Sequence, residues 1–542
     1  MQNSAAASPP APSPRARHGA RYDVLIVGCG PVGATLGSYL GRFGHAVGVF
    51  DRDLEVFPVP RAMGFDEETL RILHDLDQLQ PVVDRGSIRR YDLDLVAPDG
   101  RVLMGPAVHG ERADPEFEMT HGPFYPQNLI HQPHVEEILR EDLDRQANVD
   151  VFLGHEVLAV DGEGEDEASV RVRDPDGDET IVGARYLVGC DGGRSLVRRS
   201  ITDERIDFGY SEDWLVVDAD ADPEYYETIP DGAIFVRDAD LAAVVCKGLH
   251  GHVRFDALRL DGKADFRDAE VDRDYTEDSR ELIGRHFDPS RFTITRQAPY
   301  RFYAGMPARW RRDRLFVAGD AAHQTPPFAG QGLNMGMRDA ANLAFKLDLV
   351  LRGRASDAML DTYEAERRPA CSETIKGAVH NGGLMRTTHP LASRFRDALL
   401  FLARHSKRFA EIMHSKGMRK PAYEAGLVGS GPGAGAPLPR TAVVDAEGRA
   451  ACIDDVLGVR FALLATEASV GDAVERFVDE LDGVVVRLGR DLRTASGDLE
   501  RWLEQRNAKA VLVRPDRYVF DAGEDANALC ASLFEGLHRR AA

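Results

Sequence analysis

Cysteine is scarce in this chain: six residues in 542, at positions 29, 190, 246, 371, 452 and 530, with no Cys-x-x-Cys pair among them. That spacing argues against a disulfide framework, a dithiol redox centre or a zinc site, and no metal ligand set is expected. Tryptophan is scarcer still, with Trp214, Trp310 and Trp502 each standing alone. No apolar run reaches the ~18 residues that a membrane-spanning helix needs. Basic residues are the minority charge, 67 against 89 acidic, for a net charge of -22. Such a balance speaks against nucleic acid or an anionic membrane as partner, while a pocket can still be locally cationic. The first twenty residues are rich in Ala, Pro and Ser and lack the apolar core of a secretory signal. Residues 1–20 therefore read as a disordered tail on a cytoplasmic protein. What remains has the composition of a globular protein too long for one core, and two or three domains are expected.

Two motifs almost three hundred residues apart answer each other. The apolar strand Val24-Leu25-Ile26-Val27 runs into Gly28-Cys29-Gly30-Pro31-Val32-Gly33 and then into a helical stretch, Ala34 to Phe43. A second strand ends at Asp51, 23 positions after Gly28, where a carboxylate can hold a ribose. Far downstream, Leu315-Phe-Val-Ala318 delivers Gly319 and Asp320 to a Gly- and Pro-rich loop. The helix that follows places Ala340, Leu343, Leu347 and Leu351 on one face. A loop of that kind exposes backbone N–H groups at a helix N-terminus, which suits an anion such as reduced flavin.

A third element, Tyr186-Leu-Val-Gly-Cys190 followed by Asp191-Gly192-Gly193-Arg194-Ser195-Leu196-Val197-Arg198, completes the set. With it the sequence resembles the group A FAD-dependent aromatic hydroxylases of the para-hydroxybenzoate hydroxylase fold, most of all the 3-(3-hydroxyphenyl)propionate hydroxylase branch. The resemblance runs from about Tyr22 to the C-terminus. It implies FAD as cofactor, with Gly28, Gly30, Pro31, Val32 and Gly33 around its pyrophosphate and Asp51 and Arg52 at the adenosine ribose. It implies that Asp191 and Gly192 serve FAD and the reduced nicotinamide, NADH or NADPH, and that Asp320 binds the ribityl and pyrophosphate region. Pro60-Arg61-Ala62 resembles the segment whose arginine lies beside the flavin, and Gln132 resembles a glutamine that contacts FAD. Pro327, Gly330, Gly332, Leu333 and Asn334 join the cofactor set. Phe345 stands where many relatives carry Trp, and Tyr303 to Gly305 is an unusual sequence for the family.

The expected fold class is α/β: a Rossmann-like FAD-binding domain, a β-sheet substrate domain and a thioredoxin-like C-terminal domain. The FAD-binding domain is discontinuous, over 21–85, 121–205 and 308–425, and the substrate domain takes 86–120, read as a hairpin, and the β-rich stretch 206–307. Gly429-Ser-Gly-Pro-Gly-Ala-Gly-Ala-Pro-Leu-Pro439 reads as a linker by composition. Residues 440–542 form the third domain, redox-silent for want of a Cys-x-x-Cys pair.

An aromatic C–H is inert to triplet oxygen, so a cofactor must carry the hard step. The resemblance implies a single-component monooxygenase that hydroxylates a phenol ortho to its hydroxyl, using NAD(P)H and O₂ through a flavin C4a-hydroperoxide. A substrate like 3-(3-hydroxyphenyl)propionate is expected. The loop from Pro326 to Asn334 is the candidate for stabilising reduced flavin, through the N–H groups of Gly332, Leu333 and Asn334. Pro326, Pro327 and Phe328 are expected to wall out water. For the base the candidates are His250, His252, Tyr300 and Tyr303, with His252 and Tyr303 preferred. Arg254 and Arg301 are candidates to hold a substrate carboxylate beside Tyr300 and Phe328. His323 reads as structural, and His121, His131 and His134 lack a carboxylate or Cys partner nearby in sequence. Two other readings stay open: a tailoring hydroxylase of a polycyclic or antibiotic-pathway phenol, and a non-catalytic flavin-binding redox sensor. A flavin halogenase is disfavoured because no Trp-x-Trp element is present. Partners beyond the small molecule and O₂ are not expected, and association into a homodimer is left open.

Overall fold

The computed structural model describes residues 17–90, 95–96, 102–104, 127–162, 167–231, 233–237, 241–259, 276–385, 421–467, 471–494 and 497–538, with five isolated positions between 395 and 406. Most of the expected tail, most of the 86–120 hairpin and His121 lie outside the described residues.

Five parallel strands form the heart of the first domain, in the order Leu315–Val317, Glu179–Gly189, Arg21–Val27, Val47–Asp51, Val149–Leu153. Val24, Leu25 and Ile26 are wholly buried, as a strand covered by helices on both faces requires. Register sets up the site. Val27 pairs with Gly189, and Gly189 with Val317, so three strands end at one level. The turns that follow them, at Gly28, Cys190 and Ala318, therefore converge at the carboxyl edge of the sheet, where open α/β sheets bind ligands. The helix Pro31–Arg42 packs against the helix Gly332–Leu351 at very close range. A Cβ on Gly336 would lie 2.6 Å from Val32 Cγ2, so only glycine lets the two helices meet there.

The second sheet runs Phe292–Pro307, Arg205–Ala221, His252–Arg259, Leu241–Lys247, Ala233–Arg237, Leu95–Val96, Val102–Met104. Within the expected hairpin region, Leu95–Val96 pairs antiparallel with Val102–Met104. Side chains alternate across a strand, and here the alternation divides two environments. Leu215, Val217, Ala219, Val253, Phe255 and Ala257 form one core with Leu282 and Ile283. Trp214, Val216, Phe302, Ala304 and Met306 turn the other way and join the core of the FAD-binding domain.

The C-terminal domain carries a four-stranded sheet, Val484–Arg487, Ala462–Ala465, Ala510–Val513, Val519–Gly523, with its first pair parallel and the rest antiparallel. The helices Asp472–Leu481 and Ala526–Leu537 pack together beside it, in a thioredoxin-like arrangement. The stretch 429–439, read from composition as a linker, is instead strapped to this domain. The N–H groups of Gly429, Gly435 and Leu438 donate to the carbonyls of Phe520, Val519 and Arg517. Its glycines serve close approach: a Cβ on Gly435 would overlap the Tyr423 carbonyl. Among the described residues no helix is long and apolar enough to cross a membrane.

Candidate active site

The Gly28 turn is built by contacts to the neighbouring strand ends. Gly28 adopts φ 102, and a Cβ there would collide with the Cys190 carbonyl, while one on Gly33 would overlap the Gly28 carbonyl oxygen. Gly30 differs: a Cβ on it would meet nothing within 4 Å. Protein packing thus explains Gly28 and Gly33, whereas at Gly30 the free space faces the cleft and is available to a ligand. Pro31 opens the helix at its first position, and Gly30 supplies no side-chain cap, leaving N–H groups for an anion. At the end of its strand Asp51 accepts from the Cys29 N–H at 2.7 Å and the Asp53 N–H at 2.9 Å. Arg52 is exposed beside it.

Asp191 accepts the Leu196 N–H at 2.6 Å and the Val197 N–H at 3.3 Å through Oδ2, which caps the helix Leu196–Ile201. Its Oδ1 is buried with no partner, an orphan that costs free energy unless a bound group satisfies it. Gly192 follows at φ 76, beyond the reach of most side chains. Asp320 lies in the turn Gly319–Ala321, its side chain accessible to solvent. Desolvation by the surrounding protein raises its pKa, opposed by His323 and Arg61.

The loop after Asp320 reaches the helix Gly332–Leu351, whose preceding residue, Gln331, offers no side-chain cap. The first N–H groups of a 20-residue helix, those of Gly332, Leu333 and Asn334, are therefore uncapped. Gly330 makes the turn in the left-handed conformation, φ 59. Asn334 is buried and acts as a brace: its Oδ1 accepts from Thr69 Oγ1 at 2.7 Å and the Asp66 N–H at 3.0 Å, and its Nδ2 donates to the Gly330 carbonyl at 2.9 Å. Pro326 is buried and Pro327 half-buried. Phe328 crosses from this loop to the second sheet, 5.6 Å from the Trp214 ring and 5.9 Å from Tyr210, and leans on Gly382, where a Cβ would strike it.

Gln132 and Arg61 are linked. The Gln132 carboxamide oxygen accepts the N–H groups of both Arg61 and Ala62 at 2.8 Å, so this glutamine shapes the loop beside the cleft. The Arg61 side chain is exposed, 3.6 Å from Glu136 and over the Phe57 ring. Sequence reasoning missed Arg140, which donates to the Cys29 carbonyl at 3.1 Å and to Glu136 at 3.1 Å, and so steadies the fingerprint turn from below. An Arg eight positions after Gln132 on one helix was the available signal.

Strand alternation sorts the expected substrate residues. Tyr300 pairs with Trp214 across the strands and lies on the same face as Phe302, the two rings tilted with centroids 4.7 Å apart. Surrounding protein and then the Asp320 carboxylate raise its pKa, so it stays a hydrogen-bond donor. Arg301 and Tyr303 turn to the opposite face, because neighbours on a strand point to opposite sides. Arg301 is held there by Asp213 at 2.6 and 2.9 Å, and Tyr303 lies under Arg205 against Gly305. Gly305 explains the unusual Tyr303–Gly305 sequence, since a Cβ would occupy the place of the tyrosine ring. Arg254 does face the FAD-binding domain, but it is buried and occupied, donating to Asp256 at 2.8 Å and to the carbonyls of Pro60 and Arg61 at 3.2 Å. His252 is buried on the same face, its Nε2 3.0 Å from Asp218, whose other oxygen takes Arg296 at 3.2 Å. His250 sits at a turn in the left-handed conformation, φ 56.

One trio of metal-ligand type does form, buried, from His323, Asp339 and Cys371. The Arg367 guanidinium already donates to Asp339 at 2.8 Å and to Cys371 at 3.5 Å, which fills the place of a cation. Asp339 also accepts the Gly319 N–H at 3.0 Å and faces His323 at 2.7 Å, so the cluster pins the turn that presents Asp320.

An uncapped helix pair, open space at Gly30 and an orphaned Asp191 oxygen fit a dinucleotide carrying a flavin. Comparison with known proteins agrees. Residues 21–378 match the FAD binding domain family and residues 435–536 the HcaD C-terminal domain family. The chain is 32% identical over 538 residues to a probable NADH-specific resorcinol 4-hydroxylase of Rhodococcus jostii (strain RHA1), covering 96% of this chain and 95% of that protein. It is 31% identical over 526 residues to a 3-(3-hydroxy-phenyl)propionate/3-hydroxycinnamic acid hydroxylase of Escherichia coli O81 (strain ED1a), covering 92% and 91%. Among solved structures, aklavinone-11 hydroxylase with FAD and aklavinone matches with a TM-score of 0.76 at 25% identity, over 95% of this chain and 99% of that one. The flavin-dependent monooxygenase PieE matches in fold with a TM-score of 0.77 at 22% identity, over the same shares. The chain belongs to the FAD-dependent aromatic hydroxylases, and its cofactor is FAD.

Proposed function

We propose that this enzyme uses NADH and O₂ to hydroxylate a small, uncharged phenol of the resorcinol type, next to an existing hydroxyl. Bound FAD would accept hydride from the nicotinamide and activate oxygen, the chemistry that no side chain can supply. What the chain contributes is position, charge and dryness. The N–H groups of Gly30, Val32 and Gly33, with Asp51, hold the dinucleotide, Asp320 and Asp191 orient its middle, and the uncapped N-terminus at Gly332 stabilises negative charge on the ring system. Phe328, Trp214 and Phe302 form an apolar wall that receives a flat ring and keeps water away. Tyr300 donates to a substrate oxygen, and His252, held by Asp218, takes the phenol proton.

The observation that carries the uncharged substrate is the saturation of the arginines. Arg254 is spent on Asp256 and two backbone carbonyls, Arg296 on Asp218, and Arg301 points to the other face. A carboxylate arriving among the described residues of that face would find these cations already paired, at a real desolvation cost. Arg61 supports a second reading. It is an exposed cation on the loop beside Gln132, and a phenol with an acidic side chain, as in the propionate hydroxylases, would reach it. A panel of resorcinol, phenol and 3-(3-hydroxyphenyl)propionate, scored by stimulated NADH oxidation and product mass, separates the two. Resorcinol should give the higher kcat/KM; preference for the propionate, lost in Arg61→Ala, would establish the second reading instead.

A further inference from the structure

The helix Glu67–Asp75 stands between the C-terminal domain and the loop before Gly332, and it is bonded to both. Glu68, Arg71 and Asp75 fall on one face through their spacing of three and four. All three engage the C-terminal side. The Tyr518 hydroxyl donates to Glu68 at 3.3 Å, and Asp75 receives Arg517. Arg71 donates to both oxygens of Asp454 at 2.6 and 3.0 Å and to the Leu438 carbonyl at 2.8 Å.

The N-terminal end of the same helix holds the loop. Its cap, Asp66, accepts the Thr69 N–H at 3.1 Å and receives the Arg338 guanidinium, which also reaches Glu68 and, at 3.3 Å, the carboxamide oxygen of Gln331. Thr69 Oγ1 donates to Asn334 Oδ1 at 2.7 Å, and Asn334 in turn donates to the Gly330 carbonyl. Gly330, Gln331 and Asn334 form the turn into the helix Gly332–Leu351. Thr69, Arg71, Asn334 and Asp454 are all buried, and in a buried network each bond is strong and each lost partner costly. The turn is therefore held from the C-terminal domain as well as by its own backbone.

We propose that Tyr518 and Arg71 are positioning residues. Through the helix Glu67–Asp75 they fix the turn from Gly330 to Asn334, and so set how strongly its free N–H groups stabilise reduced over oxidised flavin. This gives the C-terminal domain a part in the reaction that needs no cysteine. The proposal rests on the reading that those N–H groups face the flavin ring.

The test measures the midpoint potential of FAD in the full-length protein, with FAD affinity and apoprotein Tm recorded for each variant. Thr69→Val removes the bond to Asn334 directly. Tyr518→Phe removes one hydroxyl and leaves the ring stacked 4.2 Å from Tyr423. Arg71→Lys keeps the charge and loses the paired bonds to Asp454. Thr69→Val should weaken the preference for reduced flavin about tenfold, a fall of about 30 mV for a two-electron couple, and the two remote variants about threefold, about 14 mV. The double variant Thr69→Val/Tyr518→Phe should fall no further than Thr69→Val alone, because both act through one path. Where Arg71→Lys does not fold, Tyr518→Phe decides. A shifted Thr69→Val beside an unshifted Tyr518→Phe, even one with a lower Tm, overturns the proposal and keeps the reading of the loop. No shift in either variant overturns both.

Discussion

Glu366 of the FAD-binding domain and Arg514 of the C-terminal domain meet at 2.8 Å with both side chains fully buried. The same carboxylate takes Lys346 at 2.7 Å, Asn342 at 2.8 Å and, through its other oxygen, the Leu427 N–H at 2.7 Å. A second knot joins the domains nearby, where Asp454 receives Arg71, Arg440 and Arg517. The C-terminal domain is thus bound to the cofactor domain through buried charge and not through a redox pair; all six cysteines are free.

Burial raises the pKa of Glu366, but Arg514 and Lys346 outweigh it and pull the carboxyl down to about 2, below the ordinary 4.5. A depressed carboxylate contributes stability that is whole above its unfolded value and lost as pH falls through its folded value. The union of the two domains should therefore weaken between pH 4.5 and about 2. Glu366→Ala should cost about 3–5 kcal/mol by leaving Arg514 and Lys346 buried without it. Calorimetry should resolve an early transition from the loosened C-terminal domain. One unshifted cooperative transition would contradict this role.

His323 gives the opposite sign. Burial lowers its pKa, yet Cys371 and Asp339 outweigh that and push it up to about 10. A raised histidine contributes stability that is complete below about 6.5 and disappears as pH rises toward 10. FAD retention should fall over that alkaline range, because this cluster pins the Gly319–Asp320 turn. The His323→Gln variant should be weaker throughout and lose the pH dependence, as read by flavin release on a desalting column.

Glycines 30 and 33 should separate cofactor binding from folding. Gly30→Val fills space that the protein leaves open, so the apoprotein should keep its Tm and lose FAD. Gly33→Ala strikes the Gly28 carbonyl and should destabilise the apoprotein itself. Asp320→Ala should weaken FAD by roughly 2–5 kcal/mol. Full flavin occupancy in that variant would remove Asp320 from the site.

Phe328→Ala should open the apolar wall at Trp214 and Gly382. NADH oxidation should continue while the yield of hydroxylated product per NADH drops several-fold and hydrogen peroxide appears. Unchanged coupling would show that Phe328 does not exclude water.

The cofactor half of this site was legible because its signals are local. Each glycine and acid sits in a turn fixed by a neighbouring strand and helix, and the register of Val27, Gly189 and Val317 does the rest. The substrate half depends on facts a linear pattern carries weakly. Tyr300 and Arg301 are adjacent yet face different worlds; the apolar alternation Phe302, Ala304, Met306 would have placed Arg301 outside. Nothing in the sequence pairs Arg254 with the carbonyls of Pro60 and Arg61, since those contacts are made by the docking of one domain on another. Gly429 to Pro439 looks like a loose linker because glycine serves close packing as readily as flexibility.

The account turns on oxygen transfer to a phenol, and the direct measurement is the isotope balance of turnover with NADH and resorcinol under ¹⁸O₂ in ordinary water. The expected result is one ¹⁸O atom in the new hydroxyl of the product. An unlabelled product, its oxygen drawn from water, would contradict the account.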